Sequence, residues 1–88
     1  MKIQISKEIT VSDIKDKAII FTKDKGGENK IFEIEGSALD IWHIISSEEM
    51  TMEKLHEKLA KTYETYTFKN QKETEAFIKD LKNYQIIL

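Results

Sequence analysis

The sequence contains no cysteine and no arginine among its 88 residues. Without cysteine, disulfides, thiolate metal sites and thiol nucleophiles are excluded. Arginine is the side chain that most often reads guanine, and phosphate binding depends on clustered positive charge that releases counterions. Here 14 lysines stand against 16 acidic residues, which gives a net charge of −2. This balance argues against nucleic acid and anionic membranes as partners.

Long apolar runs are also missing. No segment approaches the roughly 20 apolar residues that a membrane-spanning helix needs. The N-terminal residues are too polar for the apolar region of a signal peptide. The hydrophobic fraction of 40% is enough for one small core. We therefore expect a cytoplasmic protein with a single domain that covers residues 1–88.

The first third of the sequence has the period-2 alternation of β-strands. Residues 3–11 alternate apolar and polar side chains with one break. Residues 18–22 form a β-branched and aromatic run that is typical of a buried strand. Residues 30–35 alternate again, and the polar segment 23–29 with its paired glycines predicts a hairpin loop before them. These patterns predict a small antiparallel sheet of two or three strands, and we assign three.

The remainder has helical periodicity in three segments. Ser37 is expected to cap the first helix and Thr51 the second. Asn70 is expected to cap the third, with Glu73 completing a capping box. Each predicted helix has an apolar stripe with helical spacing of the i, i+3, i+4, i+7 type. The stripes are Ala38, Ile41, Trp42 and Ile45 in the first helix, Met52, Leu55, Leu59 and Tyr63 in the second, and Thr74, Phe77, Ile78, Leu81 and Tyr84 in the third. The prediction is an α+β fold, a three-stranded antiparallel sheet followed by three helices, similar in outline to a winged helix-turn-helix.

Catalytic and metal-binding motifs are missing. His43 and His56 lie on different predicted helices, and isolated helix histidines are usually surface residues rather than metal ligands. No nucleophile elbow, phosphate-binding glycine loop or zinc-protease motif occurs. Glu48 and Glu49 are adjacent and point in different directions, which argues against an acid/base pair. We predict that the protein is not an enzyme, has no catalytic residues and uses no metal or other cofactor.

The predicted strand at 30–35 has few of the features that protect the edge of a sheet. It contains no proline, and Ile31 and Phe32 lie near its middle. If the third helix packs beside this edge, the two elements form a groove to which an extended peptide could add as a further strand. Two arrangements stay open, an edge that is free for a peptide and an edge that the N-terminal residues cover.

Three stretches of the sequence follow a known family pattern. Residues 31–42, IFEIEGSALDIW, combine an aromatic strand with a glycine-led helix start and a tryptophan. Residues 51–55, TMEKL, open the second helix, and residues 77–81, FIKDL, followed by 86–87, close the third. In this spacing, over residues 17–88, the chain resembles the PqqD-like family. These domains are also called recognition elements of ribosomally synthesised, post-translationally modified peptides (RiPPs).

The resemblance implies a peptide chaperone in natural product biosynthesis. Such a domain binds the leader segment of a precursor peptide by β-strand addition and presents it to a modifying enzyme. That enzyme would be a radical-SAM protein, a lasso-type protease or a cyclase. The peptide would pair with the strand at 30–35 and lie against the third helix. The residues implied for peptide binding are Ile31, Phe32, Glu33 and Ile34 on the strand and Glu73, Phe77, Ile78 and Leu81 on the helix. For Phe77 and Leu81, a place in the hydrophobic core is an equally good interpretation.

Other functions stay open. A winged-helix transcriptional regulator would read DNA with the third helix, but such a surface usually carries a positive stripe. The predicted third helix has as many lysines as acidic residues, with Lys72, Lys79 and Lys82 against Glu73, Glu75 and Asp80. A general protein-interaction adaptor cannot be distinguished from a leader-binding domain without a ligand. The unpaired edge further predicts a homodimer, by strand pairing or exchange, when no peptide is bound.

Overall fold

The computed structural model of the chain describes residues 2–88. It confirms the predicted α+β fold, with a three-stranded antiparallel sheet and three helices. The elements in chain order are β1 (Lys2–Ile3), β2 (Thr10–Ile14), β3 (Lys17–Lys23), β4 (Asn29–Glu35), α1 (Ser37–Ser47), β5 (Met50–Thr51), α2 (Met52–Thr62) and α3 (Phe68–Asn83).

The three-stranded sheet has the order β2-β3-β4, so β3 is central and β2 and β4 are the two outer strands. Side chains alternate between its faces because successive residues of a strand point to opposite sides. Ala18 and Ile20 of β3 and Ile34 of β4 are buried on the face that packs against the helices. All five residues of β2 are exposed. The sheet is therefore anchored to the core through β3 and β4.

The N-terminal residues do not form the third strand of this sheet, although residues 3–11 alternate. β1 pairs with β5, and Ile5 pairs with Ile87. The N–H of Ser6 donates to the carbonyl of Ile86 at 2.8 Å, and the N–H of Leu88 donates to that of Gln4 at 2.8 Å. These bonds tie the two ends of the chain together. The third strand comes instead from residues 10–14, which an apolar pattern does not identify because both faces of β2 are exposed.

The helix caps differ from prediction at two of three positions. Ser37 is the first residue of α1, and Gly36 is the N-cap at φ +66°, a conformation that glycine adopts without a steric penalty. Thr51 caps α2 as predicted, since the N–H of Lys54 donates to its Oγ1 at 3.2 Å.

The third helix begins before the predicted cap. Phe68 is its first residue and Thr67 is the N-cap. Asn70 is the third helical residue of the capping box, because its Oδ1 accepts from the Thr67 N–H at 3.0 Å and its own N–H donates to Thr67 Oγ1 at 3.3 Å. Glu73 takes no part in this box, so both assignments made from the sequence were wrong. A threonine at 67 offers the same hydroxyl acceptor as the usual Ser or Thr cap.

One hydrophobic core joins the sheet to the three helices. Trp42, expected in the core, is 3% exposed. Residues 86–88 were expected to pack on the core; Ile86 and Ile87 do so, whereas Leu88 is 70% exposed. No helix within residues 2–88 is long and apolar enough to cross a membrane. The buried apolar residues are Ile3, Ala18, Ile20, Ile34, Ile41, Trp42, Ile45, Met50, Leu55, Leu59, Ile78, Leu81, Ile86 and Ile87.

Candidate functional site

The outer edge of β4 is unpaired in the part of the chain that the structure describes. β4 pairs with β3 on one side, and no strand among residues 2–88 pairs with the other side. The N-terminal residues were the alternative partner expected to cover this edge, but they pair with β5 and with Ile87 instead. A row of main-chain donors and acceptors is therefore available for a further strand.

The hairpin loop before β4 determines which main-chain groups face outward. The N–H of Asp24 donates to the carbonyl of Glu28 at 2.9 Å, and the N–H of Gly27 donates to that of Asp24 at 3.0 Å. With Gly27 at φ +82°, this is a turn closed by a glycine bulge. Asp24 and Glu28 are thus the first hydrogen-bonded pair of the β3-β4 ladder.

The N–H and C=O groups of Ile31 and Glu33 point away from the sheet. Hydrogen-bonded and non-hydrogen-bonded pairs alternate along an antiparallel ladder. The β3-β4 register is unbroken from Lys23 opposite Asn29 onward. Counting from the bulge, the main-chain groups of Phe32 and Ile34 face β3, whereas those of Ile31 and Glu33 face outward. An added strand would bond to these two residues.

The side chains of β4 present two different surfaces beside this edge. Ile31 and Glu33 are exposed on the outer face of the sheet, where Ile31 is 64% exposed and stands opposite Phe21. The carboxylate of Glu33 lies 3.9 Å from the Nζ of Lys17. Phe32 is half-buried on the opposite face, towards the helices. A strand added here would have one charged and one apolar side.

The end of helix α3 meets β4 on the helix-facing side of the sheet. Near the C-terminal end of α3, the ring of Tyr84 meets that of Phe32 edge-on at 5.0 Å between centroids. Nearer its start, Phe77 lines the same cleft as Ser37 and Ala38, the residues that follow β4. The carbonyl of Tyr84 also accepts from the hydroxyl of Thr22 at 3.0 Å, which fixes this end of the helix to β3.

A cleft of about 300 Å³ lies where α1, the end of α2 and α3 meet, close to the C-terminal end of β4. Its apolar walls include Phe77, Ile41 and Leu59, and Glu73 contributes a charge. A concave, largely apolar site with a few polar groups is the usual form of a ligand pocket. The lining residues are Ser37, Ala38, Ile41, Leu59, Tyr63, Thr65, Tyr66, Asn70, Glu73, Thr74 and Phe77.

A hydrogen-bonded network fixes one wall of this cleft. Buried Thr74 donates its hydroxyl proton to the carbonyl of Asn70 at 2.9 Å, so it accepts from the hydroxyl of Tyr66 at 3.0 Å. The hydroxyl oxygen of Tyr66 can then accept from Nδ1 of His56 at 2.7 Å. On its other side, Nε2 of His56 lies 3.3 Å from Glu75. Tyr66 is thereby held between α2 and α3.

A second contact fixes the part of the cleft where the end of α2 meets α1. The hydroxyl of Tyr63 donates to Oδ2 of Asp40 at 2.5 Å, which joins the end of α2 to α1. This hydrogen bond, together with burial and the nearby carboxylate charge, raises the pKa of Tyr63 to about 12. The phenol therefore keeps its proton, and its hydrogen bond to Asp40, to a higher pH than an ordinary tyrosine.

The structure separates the residues implied for peptide binding into two groups. Ile31, Phe32 and Glu33 lie at the free edge, while Glu73 and Phe77 line the cleft. The other three belong to the core instead. Their side chains have at most 9% exposure, so a peptide cannot contact them without unfolding part of the domain. These three are Ile34, Ile78 and Leu81.

Sequence reasoning missed most of the cleft. No pattern in the sequence singled out Tyr66, and Tyr63 was predicted as part of a buried helix stripe. The polar segment between the two tyrosines gave no periodic signal. Their pairing with Asp40 and His56 is a tertiary feature that spacing along the chain does not reveal. A pair of tyrosines at the end of a helix was the one available hint.

Comparison with protein-family models, curated proteins and solved structures found no match to this chain. In residues 2–88, no three histidine, aspartate or glutamate side chains are grouped so that they could hold a metal ion. The site offers main-chain hydrogen-bonding groups at the edge of β4 and an apolar cleft.

Proposed function

We propose that this protein binds an extended peptide, which adds as a fourth strand to β4 and places a side chain in the neighbouring cleft. The single observation that carries the proposal is the free edge of β4, at which the main-chain groups of Ile31 and Glu33 face outward. Strand addition uses main-chain bonds for affinity and side-chain pockets for specificity.

The two surfaces beside the edge indicate what kind of peptide fits. Side chains of an added strand alternate between the faces of the sheet. Those on the same face as Phe32 approach α3 and the cleft, and we expect them to be apolar. Those on the outer face pass Glu33, and we expect one of them to be basic, because opposite charges on neighbouring strands attract.

The resemblance to the PqqD-like family indicates which kind of peptide the protein would bind. It would be the leader segment of a ribosomally synthesised precursor, and the domain would present that precursor to a modifying enzyme. The modifying enzyme would be a radical-SAM protein, a lasso-type protease or a cyclase. In this role the domain performs no chemistry itself and needs no cofactor.

DNA binding by α3 is the alternative function. α3 begins at Phe68, so Lys69 joins its first turn and the helix carries four lysines against three acidic residues. The resulting charge of +1 is small, and the acids lie between the lysines along the helix. A duplex-binding surface needs positive charge that is clustered on one face. The charge pattern therefore favours the peptide-binding proposal.

Fluorescence anisotropy distinguishes the two functions. The probes are the labelled N-terminal halves of short precursor peptides encoded beside this gene, and a labelled DNA duplex at moderate salt. We expect saturable peptide binding that Phe32→Asp weakens and that Phe21→Asp, on the other face of the sheet, leaves unchanged. Far-UV circular dichroism verifies that both variants are folded. Salt-sensitive binding of the duplex without peptide binding would instead establish the winged-helix alternative.

A further inference from the structure

The free edge of β4 is able to pair with a copy of itself. In an antiparallel pair, the residues whose main-chain groups face outward must stand opposite each other. Along β4 these are the odd-numbered residues, including Ile31 and Glu33. Two copies of β4 related by a two-fold axis can therefore pair in three registers near the middle of the strand. In these registers the two-fold axis passes through Ile31, through Phe32 or through Glu33.

Charge and polarity distinguish these registers. An axis at Glu33 would put two identical carboxylates directly opposite each other, which destabilises a strand pair. An axis at Phe32 would put Ile31 opposite Glu33 of the second copy. An axis at Ile31 puts isoleucine against isoleucine, Asn29 against Glu33 and Lys30 against Phe32. An axis at Phe32 also puts Phe32 opposite Phe32, but on the face towards the helices. On the exposed outer face, only the axis at Ile31 joins apolar to apolar groups, and it also gives each carboxylate of Glu33 an amide donor.

The outer face of the sheet supports the same register. Phe21 stands directly opposite Ile31 on the neighbouring strand, and their side chains are 43% and 64% exposed. With the axis at Ile31, the two copies form one apolar row across a six-stranded sheet, with Phe21 and Ile31 from each copy. These side chains are then partly covered by one another.

From these observations we infer that a second copy of the chain binds at β4, antiparallel, with Ile31 opposite Ile31. Five residues of each strand overlap, which buries far less than the roughly 800 Å² per partner of a standard interface. Association is therefore weak and needs a high chain concentration. If β4 is also the peptide-binding edge, which rests on the proposed function, the dimer must open before a peptide can add.

The absence of cysteine makes the register directly testable. In the inferred register the two Cα atoms at position 31 are about 5.5 Å apart, within the roughly 4.4–6.8 Å span of a disulfide. The two Cα atoms at position 33 are about 13 Å apart along the strands. Under mild oxidation, Ile31→Cys should form a disulfide-linked dimer, and Glu33→Cys should not. Crosslinking at 33 instead of 31, or equally at both, would overturn the register.

Sedimentation equilibrium of the unmodified chain tests the association itself. The weight-average mass should rise towards two chains between about 10 μM and 1 mM. Ile31→Lys places two like charges opposite each other and should weaken association about tenfold. A mass of one chain throughout would overturn the inference. Peptide binding by such a strict monomer would leave the proposed function intact, and a dimer that binds no peptide would leave only this inference standing.

Discussion

The two edges of the sheet are alike in hydrogen bonding and different in everything that surrounds them. Each has outward-facing main-chain groups beside an acidic residue, Asp13 on β2 and Glu33 on β4. β2 is exposed along its whole length, and among residues 2–88 its strand partner is β3 alone. β4 has Ile34 in the core on one side and the apolar cleft and α3 nearby.

This difference shows what an unpaired edge needs in order to serve as a binding site. Main-chain groups alone bind any extended chain and give little specificity. At β4 the same groups lie on a strand that the core holds in place, next to a cleft that can select a side chain. Since preorganisation lowers the ordering cost of binding, β4 is the better receptor.

The largest expected difference between the edges is in stability. Ile34→Ala should lower the free energy of unfolding by about 2–5 kcal/mol, because it empties a buried site. Ile14→Ala on β2, where the side chain is 48% exposed, should change it by less than about 0.5 kcal/mol. Urea denaturation measures both. Equal losses would mean that β2 is anchored as firmly as β4, which would contradict the comparison.

The cleft should give the next largest effect, in peptide affinity. Phe77→Ala removes an apolar wall from the cleft beside β4 and should weaken peptide binding about tenfold, or about 1.4 kcal/mol. Phe68→Ala is the matched control on the same helix, because Phe68 is exposed and does not line the cleft. Anisotropy titration with the precursor peptide measures both. If the two variants bind equally well, the cleft is not part of the site.

The network behind the cleft should give a smaller effect on stability. Tyr66→Phe leaves Thr74 without its donor and His56 without its acceptor, and should cost about 1–2 kcal/mol. Tyr84→Phe, at the exposed end of α3, is the control and should cost less. Thermal and urea unfolding measure the difference. A neutral Tyr66→Phe variant would show that the wall beside β4 does not depend on this network.

The smallest effect should appear at alkaline pH. The pKa of Tyr63 is raised from 10 to about 12 by its hydrogen bond to Asp40. Its contribution to stability is therefore complete below pH 10 and is lost as the pH rises through about 12. The stability advantage of the unmodified chain over Tyr63→Phe should shrink across this range. An advantage that stayed constant would exclude a folded-state hydrogen bond as its source.

Local pattern predicted most of the fold. Residues 18–22 and 30–35 form strands, and the three helices lie where the apolar stripes placed them, because burial of one face imposes the period on the sequence. Thr51 was identified as a cap by its side-chain oxygen. Gly36 was missed as a cap because its role depends on its left-handed φ, and the sequence does not reveal a backbone angle.

The site was only partly predictable, because the exposure of each side chain depends on where it lies in the tertiary structure. Ile31 and Ile34 are the same residue type in the same strand, yet one is exposed at the edge and the other is fully enclosed. Ile78 and Leu81 could not be distinguished from Phe77 by spacing alone, since all three lie on the apolar side of α3. Which of them reaches the cleft depends on the angle between α3 and α1, and no local pattern encodes that angle.

If a peptide adds to β4 as a strand, the outward N–H of Glu33 binds it. Proline lacks that N–H and is tolerated on edge strands, so Glu33→Pro should abolish an intermolecular bond while keeping every bond to β3. Asp13→Pro makes the matched change on the other edge. In anisotropy titration with the precursor peptide, Glu33→Pro should weaken binding at least about tenfold, and Asp13→Pro should bind as the unmodified chain does. Equal affinity for both folded variants would contradict strand addition at β4.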